Sequence, residues 1–108
     1  MREKATKLEK DYVTIAFDAI CKAGEIALSF EKEKIDFWNK SVGQPVTKAD
    51  LEINLFLKNF FKQHTPEFGW LSEESEDDKS RHIKKKFWCV DPIDGTRSYI
   101  NNKPEYVI

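Results

Sequence analysis

The sequence has no uninterrupted apolar stretch near the roughly 20 residues that a membrane-spanning helix requires, so no transmembrane segment is expected. It also lacks an excess of charge of either sign: 18 Lys and Arg stand against 19 Asp and Glu, a formal net charge of −1. A dedicated binder of nucleic-acid polymer carries a strong basic excess, as does a polybasic membrane anchor, and both classes are set aside. Cysteine is scarce, with only Cys21 and Cys89, and their separation matches no metal or redox spacing. Each has apolar neighbours and is expected to be a buried free thiol. A reducing cytoplasm is the simplest compartment for such a chain. There is no internal repeat or low-complexity tract, and the charged residues 1–5 lack the apolar run of a secretory signal.

The 108 residues are enough for one small domain, and 40% hydrophobic with 13% aromatic residues can fill its core. Tyr12, Ala16, Ile20, Ala23, Ala27 and Phe30 recur at steps of three and four, which predicts a helix buried on one face, widened by Val13 and Ile26. A short strand is expected at Ile35-Asp36-Phe37-Trp38, then a loop at Ser41-Val42-Gly43-Gln44-Pro45. Thr47-Lys48-Ala49-Asp50 has the form of a capping box opening a second helix. Leu51, Ile53, Leu55, Phe56, Leu57, Phe60 and Phe61 make that helix apolar on more than one side, as if buried between layers, and Pro66 marks its end. Gly69-Trp70-Leu71-Ser72 reads as a short strand. Five acidic residues follow in six positions, then a basic run ending in Lys84-Lys85-Lys86 that is most simply their partner. Phe87-Trp88-Cys89-Val90 suits a strand covered on both faces, and Glu105-Tyr106-Val107-Ile108 begins another.

The chemistry concentrates where apolar runs meet acids. Asp91 and Asp94 leave the end of a strand three residues apart, with Pro92 stiffening the turn and Gly95 allowing close backbone approach. Carboxylates supply the hard oxygens that Mg²⁺ prefers, and the amides of Gly95 and Thr96, if they open a helix, face a phosphate. An Asp-Pro turn followed by an Asp-Gly turn explains the same residues without function. Glu73 and Glu74 likewise read either as a solvated charged loop or as ligands. Asp50 has a structural role as the capping carboxylate, and Lys40 reads as a surface lysine. Were Glu73, Asp91 and Asp94 to converge, their mutual repulsion would call for a divalent cation.

Trp70-Leu71-Ser72-Glu73-Glu74-Ser75, followed by Trp88-Cys89-Val90-Asp91-Pro92-Ile93-Asp94-Gly95-Thr96, resembles the signatures of the inositol monophosphatase family of Mg²⁺-dependent phosphatases. Val46-Thr47-Lys48-Ala49-Asp50 is similar to a third, and the order and spacing fit across roughly residues 10–108. The resemblance implies a layered α/β/α sugar-phosphatase fold, with residues 1–108 as the N-terminal portion of a single domain whose C-terminal portion is absent. It implies two or three Mg²⁺ ions, with Glu73, Asp91 and the Ile93 carbonyl holding one and Asp91 with Asp94 a second. Thr96, backed by Asp50, would position and deprotonate the attacking water, with Glu74 assisting, and the Gly95 and Thr96 amides would receive the phosphate.

Within the family, these runs look most similar to bacterial 3′(2′),5′-bisphosphate nucleotidases of the CysQ type, which implies removal of the 3′-phosphate of adenosine 3′,5′-bisphosphate. Arg97 could neutralise a second phosphate or pair with a local acid. Inositol-1-phosphate is the alternative substrate, followed by histidinol phosphate and fructose 1,6-bisphosphate. The non-enzymatic alternative is a metal-binding or interaction fragment whose exposed sheet edge forms a homodimer. The 108-residue chain alone is expected to be weakly folded and inactive.

Overall fold

A computed structural model describes residues 7–31, 37–41, 44–101 and 106–108. The elements are α1 (Lys7–Glu31), β1 (Phe37–Ser41), β2 (Gln44–Thr47), α2 (Lys48–His64), β3 (Gly69–Ser72), α3 (Ser80–Ile83), β4 (Phe87–Val90) and α4 (Thr96–Ile100). The expected strand residues Ile35 and Asp36, and the loop residues Val42 and Gly43, lie outside the described residues, as does Glu105.

Helix α1 forms where expected and buries most of the expected face, Ala23 and Ala27 fully and Tyr12, Ala16, Ile26 and Phe30 in part, but Ile20 and Val13 fall outside it. Ala19, Ala23 and Ala27 are fully buried, whereas Ile20 is 49% exposed and Val13 is more exposed still. Ile26 and Phe30 pack against the same core as the alanines, so the neighbouring α2 covers the middle of the expected stripe and leaves its outlying residues uncovered. The expected loop before α2 is instead part of an antiparallel hairpin, β1 with β2, in which Asn39 faces Pro45 and the register shifts between Asn39 and Ser41. Proline is tolerated in such a pair because, among the described residues, no further strand pairs with β2 to need its missing N–H.

Helix α2 is built as the sequence requires. Thr47 ends β2 in extended geometry, its hydroxyl accepts from the Asp50 amide, and the Asp50 carboxylate accepts from the Thr47 amide. Ile53, Leu57, Phe60 and Phe61 are buried, while Leu51 and Leu55 are exposed, so one side of the helix is open rather than sandwiched. The helix ends at His64, where Thr65 turns its hydroxyl onto the Phe61 carbonyl at 2.7 Å, just before Pro66.

Strands β3 and β4 are parallel, with Gly69 opposite Phe87 and Ser72 opposite Val90. Trp88 locks them to α2: its ring stacks on Phe61 at 4.1 Å and its indole N–H donates to Thr65 Oγ1 at 2.9 Å. The other face of β4 is open, since Phe87 and Cys89 are exposed. Cys21 is exposed as well, so neither thiol is buried as expected: each lies on the outward side of an element whose opposite face meets the core. Within the charged segment Asp77 pairs with Arg81 at 3.0 Å, while Lys86 lies over the Tyr12 ring, 5.1 Å from its centre, instead of serving the acidic run. The last residues bridge back, with Val107 exchanging backbone hydrogen bonds with Asp94 at 2.7 and 2.9 Å. Tyr99 is fully buried and donates to the Ala27 carbonyl at 2.7 Å, which joins α4 to α1.

Candidate metal and phosphate site

Parallel strands deliver their following loops to the same edge, and β3 and β4 do so in register. The Glu73 amide donates to the Val90 carbonyl at 3.2 Å, extending the ladder by one step. Glu73 and Asp91 therefore leave adjacent strand ends together. The arm after β3 is pinned further: the Glu74 amide donates to Ser72 Oγ at 3.3 Å, and Trp70 Nε1 donates to Ser75 Oγ at 3.1 Å.

The loop after β4 is held from beneath. Pro92 and Ile93 are buried, Asp94 is bridged to Val107, and Gly95 takes a left-handed φ of 96°, which opens α4 at Thr96. Glycine adopts that conformation without the Cβ clash that other residues suffer. Thr96 Oγ1 lies 3.1 Å from Asp50 Oδ1 and 3.1 Å from the Ile93 carbonyl oxygen, so its single proton is shared between two acceptors. Asp50 is 0% exposed, and its second oxygen, Oδ2, accepts from the Thr47 amide at 2.7 Å and the Thr47 hydroxyl at 2.5 Å. One carboxylate thus caps a helix and reaches the opposite loop.

Electrostatics brings the remaining acids into one field. The Asp91 carboxyl is raised above its usual range by partial burial first, then by the negative charges of Asp94, Glu73, Glu74 and Asp50. Desolvation and like charges both disfavour the carboxylate form. Glu73, Asp91 and Asp94 are exposed and Glu74 is half-buried. Among the described residues no three His, Cys, Asp or Glu side chains are drawn close enough to form a ready ion cage. The acids share an edge and a field without closing on a point. As a donor set they fit a hard divalent cation: several carboxylates and a backbone carbonyl, with no soft ligand among them.

Arg97 is exposed on α4, and Lys40 lies on β1 with its side chain outside the described residues. A hollow of about 260 Å³ opens at the other end of the strands, lined by Phe61, Thr65, Trp70 and Trp88 and by none of the candidate ligands. Two supporting residues escaped the sequence reading. Asn54, buried on α2, accepts a hydrogen bond from Ser72 Oγ, itself buried at the end of β3. The available signal was an amide side chain within the apolar stripe of α2, four residues after Asp50.

No helix among the described residues is long and apolar enough to cross a membrane. The family model described as "Inositol monophosphatase family" matches residues 8–108. A histidinol-phosphatase of Chlorobaculum parvum is 31% identical over 93 residues, which is 85% of this chain and 35% of that protein. The 3′(2′),5′-bisphosphate nucleotidase CysQ of Aggregatibacter actinomycetemcomitans is 31% identical over 105 residues, 95% of this chain and 38% of that protein. The crystal structure of the extragenic suppressor protein SuhB from Bartonella henselae superposes with a TM-score of 0.79 at 26% identity, covering 89% of this chain and 38% of that one. The chain thus spans little more than a third of the length of these three proteins.

Proposed function

The chain belongs to the inositol monophosphatase family, and on that premise we propose that the protein is a Mg²⁺-dependent phosphate monoester hydrolase acting on a small phosphorylated substrate. Residues 1–108 are, on this reading, the N-terminal portion of one such domain. The observation that carries the proposal is the bridge from Thr96 to Asp50, set beside the acids of the two strand-end loops.

Glu73, Asp91 and the Ile93 carbonyl would hold one Mg²⁺, and Asp91 with Asp94 a second. The Ile93 oxygen has two lone pairs, so the Thr96 contact leaves one for a cation. When bound, the cations supply positive charge to the phosphate oxygens and make water a better nucleophile. The protein's part is placement. Thr96 Oγ1 accepts a hydrogen bond from the attacking water and passes its own proton toward Asp50, whose cap bonds keep the carboxylate aimed at it. Glu74 orients water from the other loop, and the amides of Gly95 and Thr96 face the phosphate.

The preferred substrate is adenosine 3′,5′-bisphosphate, losing its 3′-phosphate, a reading supported by the similarity to a CysQ nucleotidase over 95% of the chain. Histidinol phosphate is the second reading, favoured by the equal identity to a histidinol-phosphatase; inositol-1-phosphate is the third. Phosphate release by the full-length protein from this panel, with Mg²⁺ and with EDTA, separates them. Release from none of the compounds, or release that EDTA leaves unchanged, refutes the Mg²⁺-dependent reading.

A further inference from the structure

Helix α2 touches both acid-bearing loops through polar side chains one turn apart. Asp50 reaches the loop after β4 through Thr96, and Asn54 reaches the arm after β3 through Ser72. Asn54 is 8% exposed and Ser72 6%. A buried amide costs free energy unless it is hydrogen-bonded, so an asparagine between Ile53 and Leu57 needs a partner. Ser72 supplies one, and the exchange is directional. Its only hydroxyl proton goes to Asn54 Oδ1, which turns an oxygen lone pair toward the Glu74 amide 3.3 Å away.

We propose that Asn54 is a positioning residue for the arm carrying Glu73 and Glu74, acting through Ser72 Oγ, so that α2 sets the spacing between that arm and the Asp91-to-Thr96 loop. Residues four apart lie on one face of a helix with an axial rise of about 6 Å, so Asp50 and Asn54 act as two stops on one rigid ruler. A neutral amide suits the second stop because it accepts a hydrogen bond without adding negative charge beside five acids. The role in metal affinity rests on the metal reading proposed above.

The test is hydrogen exchange in the full-length protein, read on a peptide containing the Glu74 amide, for Asn54→Ala, Ser72→Ala and Ser72→Thr. The first two are expected to speed exchange at Glu74 about tenfold, the effect of losing one hydrogen bond. Ser72→Thr, which keeps the hydroxyl, is expected to restore protection. A general loss of core packing would instead speed exchange along α2 and would not be rescued by threonine. Mn²⁺ affinity, read from the free-ion EPR signal, is expected to weaken about tenfold in Asn54→Ala. Unchanged exchange at Glu74 in both alanine variants overturns the proposal, and so does faster exchange with unaltered Mn²⁺ affinity. Should the parent protein bind no Mn²⁺, the metal reading fails, while the exchange data still decide whether Asn54 holds the arm. If Asn54→Ala does not fold, Ser72→Ala against Ser72→Thr decides it.

Discussion

Asp91 carries an unfavourable charge, and its consequences can be measured with and without metal. Its folded pKa is raised by burial and by four neighbouring acids. A raised carboxyl contributes stability below the ordinary aspartate range and loses it as pH rises through the raised value. In EDTA at neutral pH, Asp91→Asn is therefore expected to melt higher than the parent, with the gap closing as pH falls through that range; thermal melts across pH check it. The same substitution is expected to lower Mg²⁺-dependent turnover of the full-length protein about 100-fold or more. Near-normal turnover would defeat its assignment as a ligand. Thr96→Ala is expected to cost about 100-fold in kcat, with Thr96→Ser recovering much of it, since the hydroxyl and not the methyl meets Asp50. The acids were legible as residues because they follow apolar runs directly. Asn54 was not, because its meaning depends on a strand end far along the chain.

At the scale of elements, local chemistry was the most readable. The capping box at Thr47 and Asp50 involves neighbours only, and the structure contains both of its hydrogen bonds. Thr47→Ala is expected to cost about 1 kcal/mol in urea unfolding of the full-length protein. Gly69 presents a different constraint, invisible in sequence. A Cβ there would lie 2.9 Å from the Ser80 carbonyl carbon and the Arg81 amide nitrogen, because the start of α3 packs onto β3. Gly69→Ala is therefore expected to destabilise by about 1–3 kcal/mol in the same measurement, since backbone has to move; an unchanged midpoint would show that α3 yields freely. The exposure of Ile20 and Val13 on α1 was missed for a related reason. Periodicity shows that a face exists, whereas the neighbour decides how far round the helix it is covered.

The whole molecule leaves apolar surface open on several elements at once: Val13, Phe17 and Leu28 on α1, Leu55 on α2, and Phe87 on β4. Parallel strands are normally covered on both faces, and a two-stranded sheet has little stability of its own. The isolated 108-residue chain is therefore expected to bind a hydrophobic dye such as ANS and to melt broadly; a sharp melt without dye binding would overturn that. By itself the sequence determined the helices α1 and α2, the strands β3 and β4, the capping of α2 and the identity of the acidic motifs. All of these depend on residues within a few positions of one another, where periodicity and turn chemistry act. Only the tertiary structure decided that Ile20 and Val13 of α1 are exposed, that both cysteines are exposed, and that α2 holds the two acid-bearing loops through Asp50 and Asn54. Those outcomes depend on what packs against what, which is settled by the shapes of distant segments rather than by the pattern of any one.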